Sequence, residues 1–230
     1  MSKGGVLKHI FRRLSPVERE QGQVLRKFYK AVGFVHFGHV HQHDDEYDAI
    51  RGFTSSLSHR DENFAVGSYG GYDIRMVNRA DSKIKQGTGK KGLQLWTVLE
   101  ITLRVRNMPH IFFVPTGQNG DMYAKLFAEQ PYMQPISSYT AADKLTPEFH
   151  GRYQILARST RVHDVEELLS SPIIVGMGTR FWPHGIEIEH GKLYVYIPDR
   201  KITKSRLEHV LTSSLWLADS LREAHEDIEE

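Results

Sequence analysis

One stretch limits the fold of this chain more than any other. From Leu93 to Val105 the residues alternate: Leu93, Leu95, Thr97, Leu99, Ile101, Leu103 and Val105 share one parity, and Gln94, Glu100, Thr102 and Arg104 share the other. Successive side chains of a strand point to opposite faces. The pattern therefore predicts a long strand in an antiparallel sheet, one face on a core and the other mostly wet. Trp96 and Val98 interrupt the wet face, so a helix or a partner is expected to cover part of it.

The segments around this strand predict its company. Residues 5–32 read as helical, with Val6, Leu7, Ile10, Phe11 and Leu14 at helical spacing and a restart at Ser15-Pro16-Val17-Glu18. The restarted helix should turn Val17, Val24, Leu25, Phe28 and Val32 inward. Residues 52–58, 64–69 and 72–79 read as short strands, with Gly70-Gly71 as a turn or bulge between the last two. A polar, lysine-containing connection follows from Ala80 to Gly92. After the break at Asn107-Met108-Pro109, the apolar run His110–Val114 is expected to pair beside the central strand.

Further on, Asn119 caps an expected helix over 121–130, and Thr146-Pro147-Glu148 starts a helical turn. Residues 152–157 read as a strand, 162–170 as a helix and 172–177 as a helical turn. Residues 186–189 and 193–197 alternate around His190-Gly191, a two-residue hairpin signal. A final helix is expected from about Thr203 to Glu226, burying Leu207, Val210, Leu211, Leu215, Ala218 and Leu221. The resulting expectation is an α+β protein: an antiparallel sheet of about six to eight strands with packing helices, a helical N-terminus and a long C-terminal helix. Residues 1–32 form an N-terminal amphipathic helical segment and 33–230 a single α+β domain.

A resemblance supports this class. The run from Gly87-Thr-Gly-Lys90 through Thr97–Thr102 to Pro109–Phe113 resembles a pattern in uncharacterised bacterial proteins, many of them membrane-associated. The order of elements from Val162 onward is similar to theirs. The resemblance implies an α+β fold and no established activity, so it assigns no functional residues. The transmembrane segments common in those proteins have no counterpart here: no apolar run reaches the ~18–20 residues that span a bilayer.

Charge and composition narrow the partners. Residues 1–30 carry eight Lys/Arg against two acids, while 219–230 carry six acids against one arginine. The chain has no cysteine, which excludes disulfides, thiolate metal sites and a cysteine nucleophile and fits a reducing compartment. No apolar block followed by a cleavage signal is found near Met1. A cytoplasmic protein, peripheral at a membrane at most, is expected.

Three groups of residues could carry chemistry. His39, His41 and His43 share one parity, and with Glu46 they form the strongest metal signal in the sequence, because side chains two apart on a strand can converge on one divalent ion. The spacing Gly33-x5-His39-x-His41-x4-Glu46-x5-Gly52 is similar to the first metal motif of cupins, one residue short before the last glycine, and the second cupin motif has no well-spaced counterpart. That resemblance implies a metal-dependent enzyme as the alternative function.

Lys83, Lys85, Lys90 and Lys91, with Lys8, Arg12 and Arg13, are the anion-binding candidates, suited to phospholipid headgroups or nucleic-acid phosphates. The leading expectation is a non-catalytic binding or scaffold protein that contacts an anionic surface. A homo-oligomer through the Trp96 face is a further reading. Glu187 and Glu189 share the outward side of their strand, as on any half-exposed strand. Trp96, Trp182, Trp216, Tyr194 and Tyr196 read as packing anchors. No recognised nucleophile, zinc-protease or dinucleotide motif occurs.

Overall fold

A computed structural model of the protein describes residues 16–40, 60–84, 91–117, 132–136, 146–198 and 202–229. Helix α1 (Pro16–Val32) leads into β1 (Val35–Val40), followed by β2 (Arg60–Tyr69), β3 (Tyr72–Ile84), β4 (Lys91–Thr102), β5 (Ile111–Pro115) and the two-residue β6 (Gln134–Pro135). Then come α2 (Pro147–Arg152), β7 (Tyr153–Ala157), α3 (Val162–Leu168) and α4 (Ser171–Gly176), which runs into a π-type turn over Met177–Phe181. The hairpin β8 (Gly185–Glu189) and β9 (Lys192–Pro198) precedes the long α5 (Lys204–Glu229). The nine strands among the described residues form one antiparallel sheet in the order β1-β2-β3-β4-β9-β8-β5-β7-β6, so the α+β class holds with a somewhat larger sheet than expected.

The alternating stretch is the middle of this sheet. β4 pairs with β3 from Ile74↔Ile101 to Ile84↔Lys91, which makes strand of residues 80–84 and 91–92 where a polar connection was expected. Its other neighbour is β9, with Leu99 opposite Val195 and Ile101 opposite Leu193. The run at 111–115 does not join β4. It pairs with β8 and β7, because the β8–β9 hairpin returns late in the chain and inserts β9 beside β4.

One face of the sheet carries the helices. Leu99, Ile101 and Leu103 meet Leu25, Phe28 and Tyr29 of α1 and the α5 stripe of Leu207, Val210, Leu211, Ala218 and Leu221 in one core. Each fully buried Leu or Phe there contributes roughly 1.5–3 kcal/mol. Val24, Val32 and Leu215 are only partly buried at its margin. The helical turn expected at Thr146-Pro147-Glu148 is α2, capped by Thr146, whose hydroxyl accepts from the Phe149 N–H at 3.2 Å.

The opposite face departs from expectation. Trp96, Val98, Phe112, Leu156, Tyr194 and Tyr196 form a second buried cluster, and Trp96 is 2% exposed. Trp96, Val98 and Glu100 of β4 are thus covered within a single chain, and Glu187 is buried on the same face. The aromatics cover one another: Tyr194 stacks on Tyr196, and Trp96 meets Tyr196 edge-on. Trp182, by contrast, is 47% exposed and is not a buried anchor. Among the described residues no helix is long and apolar enough to cross a membrane.

Candidate functional site

The second face ends in a polar group that sheet register assembles. β5 and β8 run antiparallel with Ile111 opposite Ile188 and Phe112 opposite Glu187. Continuing that register by one residue sets His110 against Glu189. Period-two alternation puts His110 and Phe112 on one face with Glu187 and Glu189. On the next strand Glu187 faces Tyr194 and Gly185 faces Tyr196, so Tyr196 lies diagonal to Glu187 on the same face. The β8–β9 hairpin thereby meets a strand that lies far from it in sequence.

The contacts follow from this placement. The Tyr196 hydroxyl donates to Glu187 Oε2. Glu187 Oε1 lies 2.8 Å from His110 Nε2. A carboxylate can only accept, so Nε2 is the donor in this bond, and in a neutral ring the lone pair then lies on Nδ1. Nδ1 has no hydrogen-bond partner among the described residues, although Glu189 Oε1 stands 3.5 Å away. The His110 side chain is 8% exposed and Glu189 30% exposed. One ligating atom each from His110, Glu187 and Glu189 lies within 4.8 Å of the others, so the group has the donors and spacing of a metal centre.

His110 and Glu189 of this group line a cleft of about 570 Å³. The chain leaving β4, the connection from β7 to α3 and the β8–β9 turn make its walls, and Arg106, Arg158 and Arg161 line it with His110, Glu189 and His190. The guanidinium of Arg158 lies over the Tyr132 ring, 4.7 Å from its centroid, and Tyr132 in turn stands 6.3 Å from the His110 ring. Arg161 pairs with Asp164 and donates to the Asn107 carbonyl at 2.9 Å. Arg106 is exposed and makes no ion pair among the described residues. With Arg161 paired to Asp164, the lining still sets Arg106 and Arg158 against the one lining carboxylate, Glu189, which leaves the balance of charge positive.

The turn is held against the chain leaving β4. His190 and Gly191 take φ of 51° and 68°, the pair of left-handed residues that a two-residue hairpin uses. The Leu103 N–H donates to the Gly191 carbonyl at 2.8 Å. A Cβ on Gly191 would sit 2.4 Å from the Val105 carbonyl oxygen, a clash that only backbone movement relieves. Gly191→Ala is therefore expected to lower stability by about 1–3 kcal/mol and to loosen the His190 side of the cleft. Urea unfolding checks the first effect and hydrogen exchange at residues 103–106 the second.

The residues singled out in the sequence lie elsewhere. His39 is on β1, at the far edge of the sheet from β5 and β8. Lys83 and Lys91 are on β3 and β4, in ladder pairs with Gly92 and Ile84. His41, His43, Glu46, Lys85, Lys90, Lys8, Arg12 and Arg13 lie outside the described residues, as do the expected strand at 52–58 and helix at 121–130. Glu187 and Glu189 do share one side of β8, but that side is not the half-exposed surface expected: Glu187 is 3% exposed. His110 carried no signal of its own. A polar residue opening an apolar run, together with an Ile-Glu-Ile-Glu strand, becomes a site only once the two strands are known to be neighbours.

No protein-family model matches the chain, and no curated protein sequence matches it. Among solved structures, that of the mycobacterial trehalose monomycolate transport factor A, TtfA, is similar, with a TM-score of 0.58 over 90% of this chain and 94% of that one at 10% sequence identity. At that identity the likeness is one of fold.

Proposed function

We propose that this protein is a non-catalytic binding protein that receives an anionic group, a phosphate ester by preference, in the cleft beneath Arg106, Arg158 and Arg161. The observation that carries the reading is that three arginines from two separate segments line one concavity. Arginine suits phosphate because its planar fork can donate two parallel hydrogen bonds. The solved structure of similar fold is that of a transport factor, which supports a binding role. The basic segments bearing Lys8, Arg12 and Arg13 and Lys83, Lys85, Lys90 and Lys91 would add long-range attraction to an anionic membrane surface.

Two sources could present such a group, a free phosphate compound or a lipid headgroup, and two arms separate them. Titration with inorganic phosphate or pyrophosphate in chelator-containing buffer reads the first. Flotation with vesicles of anionic or of neutral phospholipid reads the second. Arg106→Ala and Arg158→Ala are each expected to weaken binding roughly tenfold, and added salt should weaken it further. Equal recovery on both vesicle types together with no phosphate response would remove the reading. Retention of duplex DNA without vesicle binding would transfer it to nucleic acid.

A further inference from the structure

We propose that His110 Nδ1 and Glu189 Oε1 hold one divalent transition-metal ion in the cleft, with Glu187 and Tyr196 behind the imidazole keeping it in the ligating tautomer. Nδ1 and Glu189 Oε1 stand 3.5 Å apart. That separation is long for an N–H···O hydrogen bond, and Nδ1 has no hydrogen-bond partner among the described residues. In a neutral ring, a lone pair on Nδ1 facing a carboxylate oxygen in a largely buried setting calls for a positive species between them, and a metal ion supplies it. Ligand atoms at about 2.1 Å from a tetrahedral ion stand about 3.4 Å apart, close to what the pair shows.

The other side of the ring supports the same assignment. A metal-binding histidine almost always donates its remaining N–H to a carboxylate or carbonyl, which fixes the tautomer and raises the basicity of the ligating nitrogen. Glu187 supplies that carboxylate at 2.8 Å from Nε2, and its second oxygen is held by the Tyr196 hydroxyl. Tyr196 and Glu187 are 1% and 3% exposed, so the support is built into the sheet and not into the surface. His190 Nδ1 lies 3.6 Å from the same Glu189 oxygen and is on hand at the cleft wall as a further nitrogen ligand. Mixed imidazole and carboxylate donors suit zinc, iron(II) or manganese better than magnesium or calcium. The ion would keep positions open toward the arginine rim, where it would add to the pull on an anion. That added pull rests on the anion-binding reading, whereas the metal site does not.

The test uses the full chain without a His tag, dialysed against zinc chloride in phosphate-free buffer and analysed for bound metal, with manganese as a second probe. About one zinc per chain is expected. Glu189→Gln should weaken it at least about tenfold. Tyr196→Phe, which removes only the outer hydrogen bond, should weaken it about tenfold. Because Glu189 is partly exposed, its glutamine variant should melt like the wild type without metal. Zinc should raise the melting temperature of the wild type and not that of the variant. No zinc bound by the wild type, or zinc retained undiminished by Glu189→Gln, overturns the proposal. Phosphate is absent throughout, so failure of the anion-binding reading leaves this result untouched.

Discussion

Arg79→Ala is expected to destabilise the protein by about 3–5 kcal/mol, the largest loss expected from any single substitution considered. Arg79 on β3 and Asp61 on β2 are directly opposite in the ladder. The guanidinium binds the carboxylate through two bonds, Nε to Oδ1 at 2.8 Å and Nη2 to Oδ2 at 2.7 Å. The two side chains are 0% and 5% exposed. Removing the arginine leaves a carboxylate shut away from water with its bidentate partner gone, and that desolvation cost outweighs the lost attraction itself. Asp61→Leu combined with Arg79→Met should lose much less than the single variant, since no unpaired charge then remains. Urea unfolding of the three proteins checks both outcomes; a loss under about 1 kcal/mol in Arg79→Ala would show that water reaches the pair.

The second large effect is a dependence on acid through His184. This residue precedes β8 and is 4% exposed, and its Nδ1 has no hydrogen-bond partner among the described residues. Burial pushes its imidazole down from the usual value to about 3, with the positive charges of Arg206 and His209 adding to the effect. The folded protein therefore holds His184 neutral where the unfolded chain, with an ordinary histidine near 6.5, binds a proton. The contribution is fully present above about pH 6.5 and is lost as pH falls from there toward 3. The slope is at most about 1.4 kcal/mol per pH unit for one proton, so roughly 3 kcal/mol is lost by about pH 4. His184→Leu removes the titrating group and leaves no orphaned nitrogen. The gap in unfolding free energy between wild type and this variant should shift against the wild type between about pH 7 and about pH 4. A constant gap would mean that the imidazole is not held neutral.

Both effects arise from polar groups placed inside the protein, and the local pattern gave little sign of them. In β3 the sequence reads Tyr72, Ile74 and Met76 on one parity and Asp73, Arg75 and Arg79 on the other, as a strand with a wet face should. The assembled sheet instead covers that face over much of β3, β4 and β9. Glu100, at 0% exposure, then has Arg75 at 3.5 Å and Lys192 at 3.2 Å as its counter-charges. Alternation reports which side chains share a face. Whether that face meets water depends on what the neighbouring strands bring to it.

Features set by residues a few positions apart were legible in the amino-acid sequence. The alternating strand, read over Leu93–Val105 and found over Lys91–Thr102, the His190-Gly191 hairpin, the helical start at Thr146-Pro147 and the apolar stripes of α1 and α5 all depend on short-range periodicity and turn chemistry, which are written locally. Which strands became neighbours was settled at the tertiary level. β9 took the place beside β4 that the run at His110–Val114 was expected to fill, and the strand formed there, β5, pairs with β8 and β7. The same choice brought His110 to Glu187 and Glu189, the first of them 77 residues away along the chain. A register between distant strands is chosen by the free energy of the whole sheet, through burial of two faces at once and satisfaction of every ladder hydrogen bond. No window of sequence contains that sum, so the strands could be read in advance and the site between them could not.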